Sequence, residues 1–132
     1  MTASSSSSDR EVVLVVDDEP LIRLFTADTL RDAGFEVLEA SNSGEALDQA
    51  QSVDHRLSAI VSDIEMPGLN GCGLVWQARS ASPGVAVLLV SGAVRPDPSE
   101  LPAGVRFIAK PFSPRHLVRE LRRAIDARPS PR

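Results

Sequence analysis

The chain has 132 residues, 42% hydrophobic and 24% charged, enough apolar material for one domain with a full core. Its formal net charge of -4 argues against non-specific nucleic-acid binding, which needs a strong positive field. No apolar run approaches the roughly 20 residues of a membrane-spanning helix. The single cysteine, Cys72, excludes an internal disulfide and fits a reducing, cytoplasmic setting.

Residues 1–10 are serine-rich and lack the basic start and apolar centre of a signal peptide, so they read as a disordered leader. From Glu11 onward strand and helix patterns alternate. Val12 to Val16 is a continuous apolar run, as expected of a strand buried on both faces. Pro20 suits the first position of a helix, because its missing N–H would have been unpaired there anyway. Leu21, Leu24, Phe25 and Leu30 follow near helical spacing, and Gly34 closes the helix as a left-handed cap. Phe35 to Ala40 reads as a second strand. Ser43 to Gln51 reads as a helix entered through polar Ser41, Asn42 and Ser43.

Leu57 to Ser62 is the third strand, followed by a loop marked by Pro67-Gly68 and Asn70-Gly71 and a helix from about Cys72 to Arg79. Val85 to Val90 and Arg106 to Ala109 are the fourth and fifth strands. Ser113-Pro114 caps a last helix that runs to about Ala127, with Leu117, Leu121 and Ile125 on one face. Residues 128–132 read as a flexible tail. The domain therefore spans 11–127. One element breaks the alternation. Between strands four and five lie prolines 96, 98 and 102, and a helical proline costs about 3 kcal/mol. Asp97 to Glu100 resembles a helix start, but Pro102 stops it, so the fourth helix in chain order is shortened or replaced by a loop.

Five strands with intervening helices predict a doubly wound α/β fold with a five-stranded parallel sheet. The flavodoxin-like order 2-1-3-4-5 places a ligand crevice between the ends of strands 1 and 3. Four apolar runs stop on Asp17-Asp18, Asp63, Ser91 and Lys110. In a parallel sheet those ends emerge at one edge. Clustered carboxylates repel unless a cation or protons intervene. Mg²⁺, a hard ion that prefers oxygen ligands, with Mn²⁺ as the alternative ion, suits one or two of the carboxylates among Asp17, Asp18 and Asp63, a backbone carbonyl such as that of Glu65, and a phosphate oxygen. A strand-end carboxylate can also attack a phosphoryl donor to give an acyl phosphate. Asp63 stands alone at the centre of the sheet and is the natural nucleophile, with Lys110 and Ser91 neutralising and binding the phosphoryl oxygens.

These residues and their surroundings (Val-Val-Asp17-Asp18-Glu19, Ser62-Asp63-Ile-Glu-Met66-Pro67-Gly-Leu-Asn-Gly71, Val90-Ser91-Gly92 and Lys110-Pro111-Phe112) resemble the response-regulator receiver domain of bacterial two-component signalling, the CheY-like fold. The likeness covers about residues 11 to 127. It implies that Asp63 accepts phosphate from a histidine kinase or histidine phosphotransfer protein. It also implies that Asp17, Asp18 and the Glu65 carbonyl hold Mg²⁺, and that Lys110-Pro111 is cis, a geometry proline makes accessible. In the family's switch, a hydroxyl at Ser91 moves toward the phosphoryl group and an aromatic at Phe107 turns inward. Phe107 has no hydroxyl, so its two rotamers differ mainly in packing.

The expected role is a phosphoacceptor that works through protein contacts and catalyses only its own phosphoryl transfer and hydrolysis. A single-domain regulator with an unknown downstream protein target is the leading form. A receiver module of a hybrid histidine kinase is the alternative, and an aspartyl-nucleophile phosphohydrolase, with Glu65 as second acid, is a further one. Leu21, Ile22 and the Pro111-Phe112 loop are candidate docking positions for a helical partner. Trp76 is expected to pack at a helix boundary. Arg115, Arg119, Arg122 and Arg123 read as a solvated basic face.

Overall fold

The computed structural model describes residues 11–53, 56–64, 71–92, 99 and 101–127, without the side chain of Cys72. Calls on the leader, the tail, the Glu65 carbonyl and the Asp97 to Glu100 helix start lie outside the described residues. The elements run β1 (Val12–Val16), α1 (Pro20–Asp32), β2 (Glu36–Ala40), α2 (Ser43–Val53), β3 (Leu57–Asp63), α3 (Gly71–Ala81), β4 (Ala86–Ser91), β5 (Arg106–Ala109) and α4 (Pro114–Asp126). All strand pairings are parallel, in the order β2-β1-β3-β4-β5. Among the described residues no α-helix lies between β4 and β5, where Ser99 is in a 3₁₀ turn.

Alternation along each strand builds two cores. Val12, Leu14 and Val16, with Ile60, Val87 and Leu89, face α2 and α3 and pack with Ala46, Leu74 and Ala78. Val13 and Val15, with Val61, Leu88 and Ile108, face α1 and α4 and pack with Ala27, Leu30, Leu117 and Leu121. Both sides are buried, which is why β1 is apolar at every position. The same alternation sends neighbours in β5 to opposite sides. Phe107 packs against the first core and Ile108 belongs to the second.

The local signals act as their chemistry demands. Pro20 and Pro114 each open a helix. Ser113 Oγ caps α4 by accepting the His116 N–H at 3.1 Å. Asn42 Oδ1 accepts the Glu45 N–H at 2.9 Å, while Glu45 Oε1 accepts the Ser41 N–H at 2.7 Å, a reciprocal pair of the capping-box kind. Gly34 has φ +103° just past α1, a conformation that a Cβ would strain. Between β4 and β5, Leu101 is buried in the first core, and the Arg79 guanidinium donates to the Ala103 carbonyl at 2.9 Å.

Two expectations are corrected. The strand after Gly34 starts at Glu36, not Phe35. Phe35 instead turns into the second core while its N–H donates to the Leu30 carbonyl. Trp76 sits in the middle of α3 and is 51% exposed, because the buried stripe of that helix runs through Leu74, Val75 and Ala78.

Candidate functional site

Strand register builds the site. Val16 lies opposite both Ala40 and Ser62, so Asp17 and Asp63 follow side by side. Asp63 lies opposite Val90, and Ser91 opposite Ala109, so Ser91 and Lys110 emerge next. The Lys110 N–H donates to the Ser91 carbonyl at 2.9 Å, which extends the ladder to the lysine. The peptide bond that follows, Lys110–Pro111, is cis, as the resemblance implies.

The side chains converge. Lys110 Nζ donates to Asp63 Oδ2 at 3.1 Å, across 47 residues of sequence. Asp17, Asp18 and Asp63 each bring a carboxylate oxygen within 4.8 Å of the others. Among the described residues no other group of three acidic, histidine or cysteine side chains is so placed. Asp17, Asp63 and Ser91 are buried, and Asp18 is exposed.

The acids carry the cost of this arrangement. Burial, reinforced by the charges of Asp63 and Asp18, holds the Asp17 carboxyl above the usual carboxylate range, although the Glu19 N–H and Lys110 pull it down. The Glu19 N–H reaches Asp17 Oδ1 at 2.9 Å. Arg23 donates to the Asp17 carbonyl at 2.9 Å and meets Glu39 at 3.3 Å, which positions the Asp17 backbone without neutralising its carboxylate. Three carboxylates against one ammonium leave negative charge in excess, and hard oxygen donors at this spacing fit a divalent cation of the magnesium type.

Phe107 is half-buried. With Leu101, Pro102, Ala103, Gly104 and Val105 it lines a cavity of about 200 Å³. On the opposite side of the sheet edge, α1 exposes Leu21, Leu24 and Phe25, at 81%, 48% and 46%. The Phe25 and Phe112 rings lie 6.4 Å apart. Docking positions read separately at α1 and at Pro111-Phe112 thus form one apolar surface.

The sequence reading missed Glu120. Its buried carboxylate takes Arg106 at 3.2 Å and Arg123 at 2.9 Å, so Arg123, although exposed with Arg115, Arg119 and Arg122 as expected, is also anchored to a buried acid. Arg122 likewise is engaged. It lies over the Phe35 ring at 4.9 Å and donates to the Ala33 carbonyl at 3.1 Å. The signal for Glu120 was its place beside Leu121 in the core stripe of α4, where an acid is retained only if paired.

A doubly wound sheet with an acidic, lysine-bearing cleft at the switch between β1 and β3 defines a phosphate-handling α/β module of the receiver type. Residues 13–122 match the family model described as the response regulator receiver domain, and the chain belongs to that family. It is 29% identical over 119 residues to the response regulator receiver protein CpdR of Brucella abortus, covering 87% of this chain and 97% of CpdR. It is 30% identical over 122 residues to the sensor kinase CckA of the same organism, covering 90% of this chain but only 13% of the kinase. Among solved structures, chemotaxis protein CheY4 of Vibrio cholerae superposes with a TM-score of 0.77 at 32% identity, over 87% of this chain and 98% of the other. A receiver protein from Sinorhizobium medicae gives 0.83 at 24% identity, over 91% and 98%, a likeness of fold. The chain is thus a signalling module with a phosphoacceptor role in two-component systems. No helix among the described residues is long and apolar enough to cross a membrane.

Proposed function

We propose that Asp63 is the phosphoacceptor, and that the chain acts through protein contacts and not as a turnover enzyme. The observation that carries this reading is the 3.1 Å contact between Lys110 Nζ and Asp63 Oδ2 beside two further aspartates. An Asp63 carboxylate oxygen attacks the phosphorus of a phosphohistidine. The P–N bond breaks, the imidazole leaves with its electron pair, and an acyl phosphate forms on Asp63. Lys110, already within hydrogen-bond reach, exchanges part of its contact with the carboxylate for a phosphoryl oxygen. Ser91, one strand over, offers a hydroxyl to another. Asp17 and Asp18, together with Asp63 and the backbone at Glu65, would hold Mg²⁺, whose charge offsets that of the phosphoryl oxygens when bound.

The switch follows from the same residues. As the Ser91 side chain turns to the phosphoryl group, Phe107 gains room to turn inward, and the 200 Å³ cavity beside it supports that movement. The donor is a histidine kinase or a histidine phosphotransfer protein in the cytoplasm. The exposed Leu21, Leu24 and Phe25 of α1, continuous with Phe112, suit an apolar helix of such a partner.

The test is incubation with phosphoramidate, and separately with a phosphorylated histidine phosphotransfer domain, with and without Mg²⁺. Intact mass and acid-labile, hydroxylamine-sensitive label identify the acyl phosphate. Wild type should be modified only with Mg²⁺, and Asp63→Asn not at all. Label retained in Asp63→Asn would overturn the assignment.

A further inference from the structure

The two aspartates after β1 are neighbours in sequence, and neighbours on an extended chain point to opposite sides. Asp17 and Asp18 nevertheless bring their carboxylate oxygens, with one of Asp63, within 4.8 Å of one another. The backbone therefore turns between β1 and α1, against the mutual repulsion of the acids that the turn gathers. Three contacts hold it. The Asp17 N–H donates to the Ala40 carbonyl at 3.1 Å. The Glu19 N–H donates to Asp17 Oδ1 at 2.9 Å. Arg23 Nη1 donates to the Asp17 carbonyl at 2.9 Å, and that carbonyl belongs to the peptide unit joining the two aspartates. Arg23 reaches it from the first turn of α1, where its own N–H donates to the Glu19 carbonyl at 2.9 Å.

Arg23 is itself held. Alternation along β2 puts Glu39 on the side of Val37, which belongs to the core packed against α1. Glu39 Oε1 accepts from Arg23 Nε at 3.3 Å, and Oε2 lies 3.1 Å from Arg31 Nη2. Arg31 also donates to the Val37 carbonyl at 3.2 Å and to Asp28 Oδ1 at 3.3 Å. Arg23 and Arg31 are thus balanced in charge by Glu39 and Asp28. The Arg23 and Glu39 side chains are 20% and 29% exposed, so the pair is partly shielded from solvent. A guanidinium suits this place, because its planar fork serves a carbonyl and a carboxylate at once. Its charge is met by Glu39 and not by the Asp17 carboxylate, so the negative charge of the cleft stays available to a cation.

We propose that Arg23, anchored by Glu39, is a positioning residue that sets the affinity of the acidic cleft for a divalent cation. This role rests on Asp17 and Asp18 being cation ligands, as proposed for the phosphoryl site. By fixing the peptide between them before the ion arrives, Arg23 reduces the ordering that binding requires. The sign of its effect separates two causes. A positive charge beside a cation site opposes binding, so charge alone predicts tighter binding when Arg23 is removed. Positioning predicts weaker binding.

The test titrates the full chain with Mg²⁺ at fixed ionic strength, followed by amide chemical shifts, with circular dichroism to show that each variant is folded. Arg23→Met should weaken Mg²⁺ binding by about tenfold or more. Arg23→Lys keeps the charge without the fork and should restore only part of the affinity. Glu39→Gln leaves the charge of Arg23 unbalanced, and its smaller loss should fade as salt screens that charge, whereas the loss in Arg23→Met should persist. With phosphoramidate as donor, Arg23→Met should raise the Mg²⁺ concentration at half-maximal labelling rate and leave the rate at saturating Mg²⁺ near that of wild type. Unchanged or tighter Mg²⁺ binding in Arg23→Met overturns the proposal, and where that variant does not fold, wild-type affinity in Arg23→Lys does so. A saturating rate that falls while the half-saturating concentration stays fixed overturns it equally. A wild type that shows no Mg²⁺-dependent shifts removes the cation site itself, and this role with it.

Discussion

The molecule holds two charge clusters of opposite make-up. At the carboxyl edge of the sheet, three carboxylates share one ammonium, Lys110. On the β5–α4 face, three guanidiniums share one carboxylate, Glu120. Burial raises a carboxyl in both places, but the neighbours decide the outcome. Asp17, next to Asp63 and Asp18, ends above the usual range. Glu120 is pushed up by burial, then brought below the usual range by the hydrogen bonds and charge of Arg106 and the charges of Arg123 and His116. One cluster is strained until something positive arrives. The other is internally satisfied and offers its surplus outward. A strained site is where binding energy can be used, and stability commonly suffers there.

The sharpest way to break the comparison is to remove the minority charge. Glu120→Ala should cost about 2 kcal/mol, because it strands arginines that the carboxylate gathers, and chemical denaturation would read it. Lys110→Met should cost about 1 kcal/mol, since it leaves the buried Asp63 without its 3.1 Å partner. Removing a majority charge should do the reverse at the acidic site. Asp17→Asn relieves repulsion and should stabilise by roughly 1 kcal/mol in metal-free buffer. Wild type should gain in thermal midpoint on Mg²⁺ addition and Asp17→Asn should gain less. A wild-type midpoint that does not move with Mg²⁺ would contradict the cation reading.

Acid titration separates the clusters by sign. The folded pKa of Glu120 is depressed, so its contribution is complete above the ordinary value near 4.5. That contribution is lost as pH falls through the folded value. Glu120→Gln should therefore flatten the fall of thermal midpoint below about pH 4.5, and an unchanged acid limb would count against it. The smallest effect is expected of Arg123→Gln. Its side chain is 57% exposed, so solvent screening should keep the change within roughly 0.5 kcal/mol.

Legibility followed the range of the interactions. Runs such as Val12 to Val16 announce strands buried on both sides, and Pro20, Ser113 and Gly34 announce helix ends, because each signal acts within a few residues. The site was readable for a related reason. In a parallel sheet the last residue of each strand is sent to the same edge, so Asp17, Asp63, Ser91 and Lys110 could be brought together without any distances. Trp76 was misplaced because aromatic bulk suggests burial, while the side of α3 it occupies depends on what packs beside that helix.

By itself the sequence determined the order of elements, the edge at which the charged residues gather, and the chemistry that three aspartates and a lysine can perform. Those follow from periodicity and from the polarity of a parallel sheet. Tertiary structure decided which partners each charge meets. Arg106 and Glu120 are fourteen residues apart on different elements, and only the packing of α4 on β5 makes them a pair. It also merged Phe25 with Phe112 into one surface and turned Trp76 outward. Side-chain pairing across elements depends on packing angles that no local pattern encodes, so the last helix looked like a solvated basic stripe until its glutamate was seen at the centre.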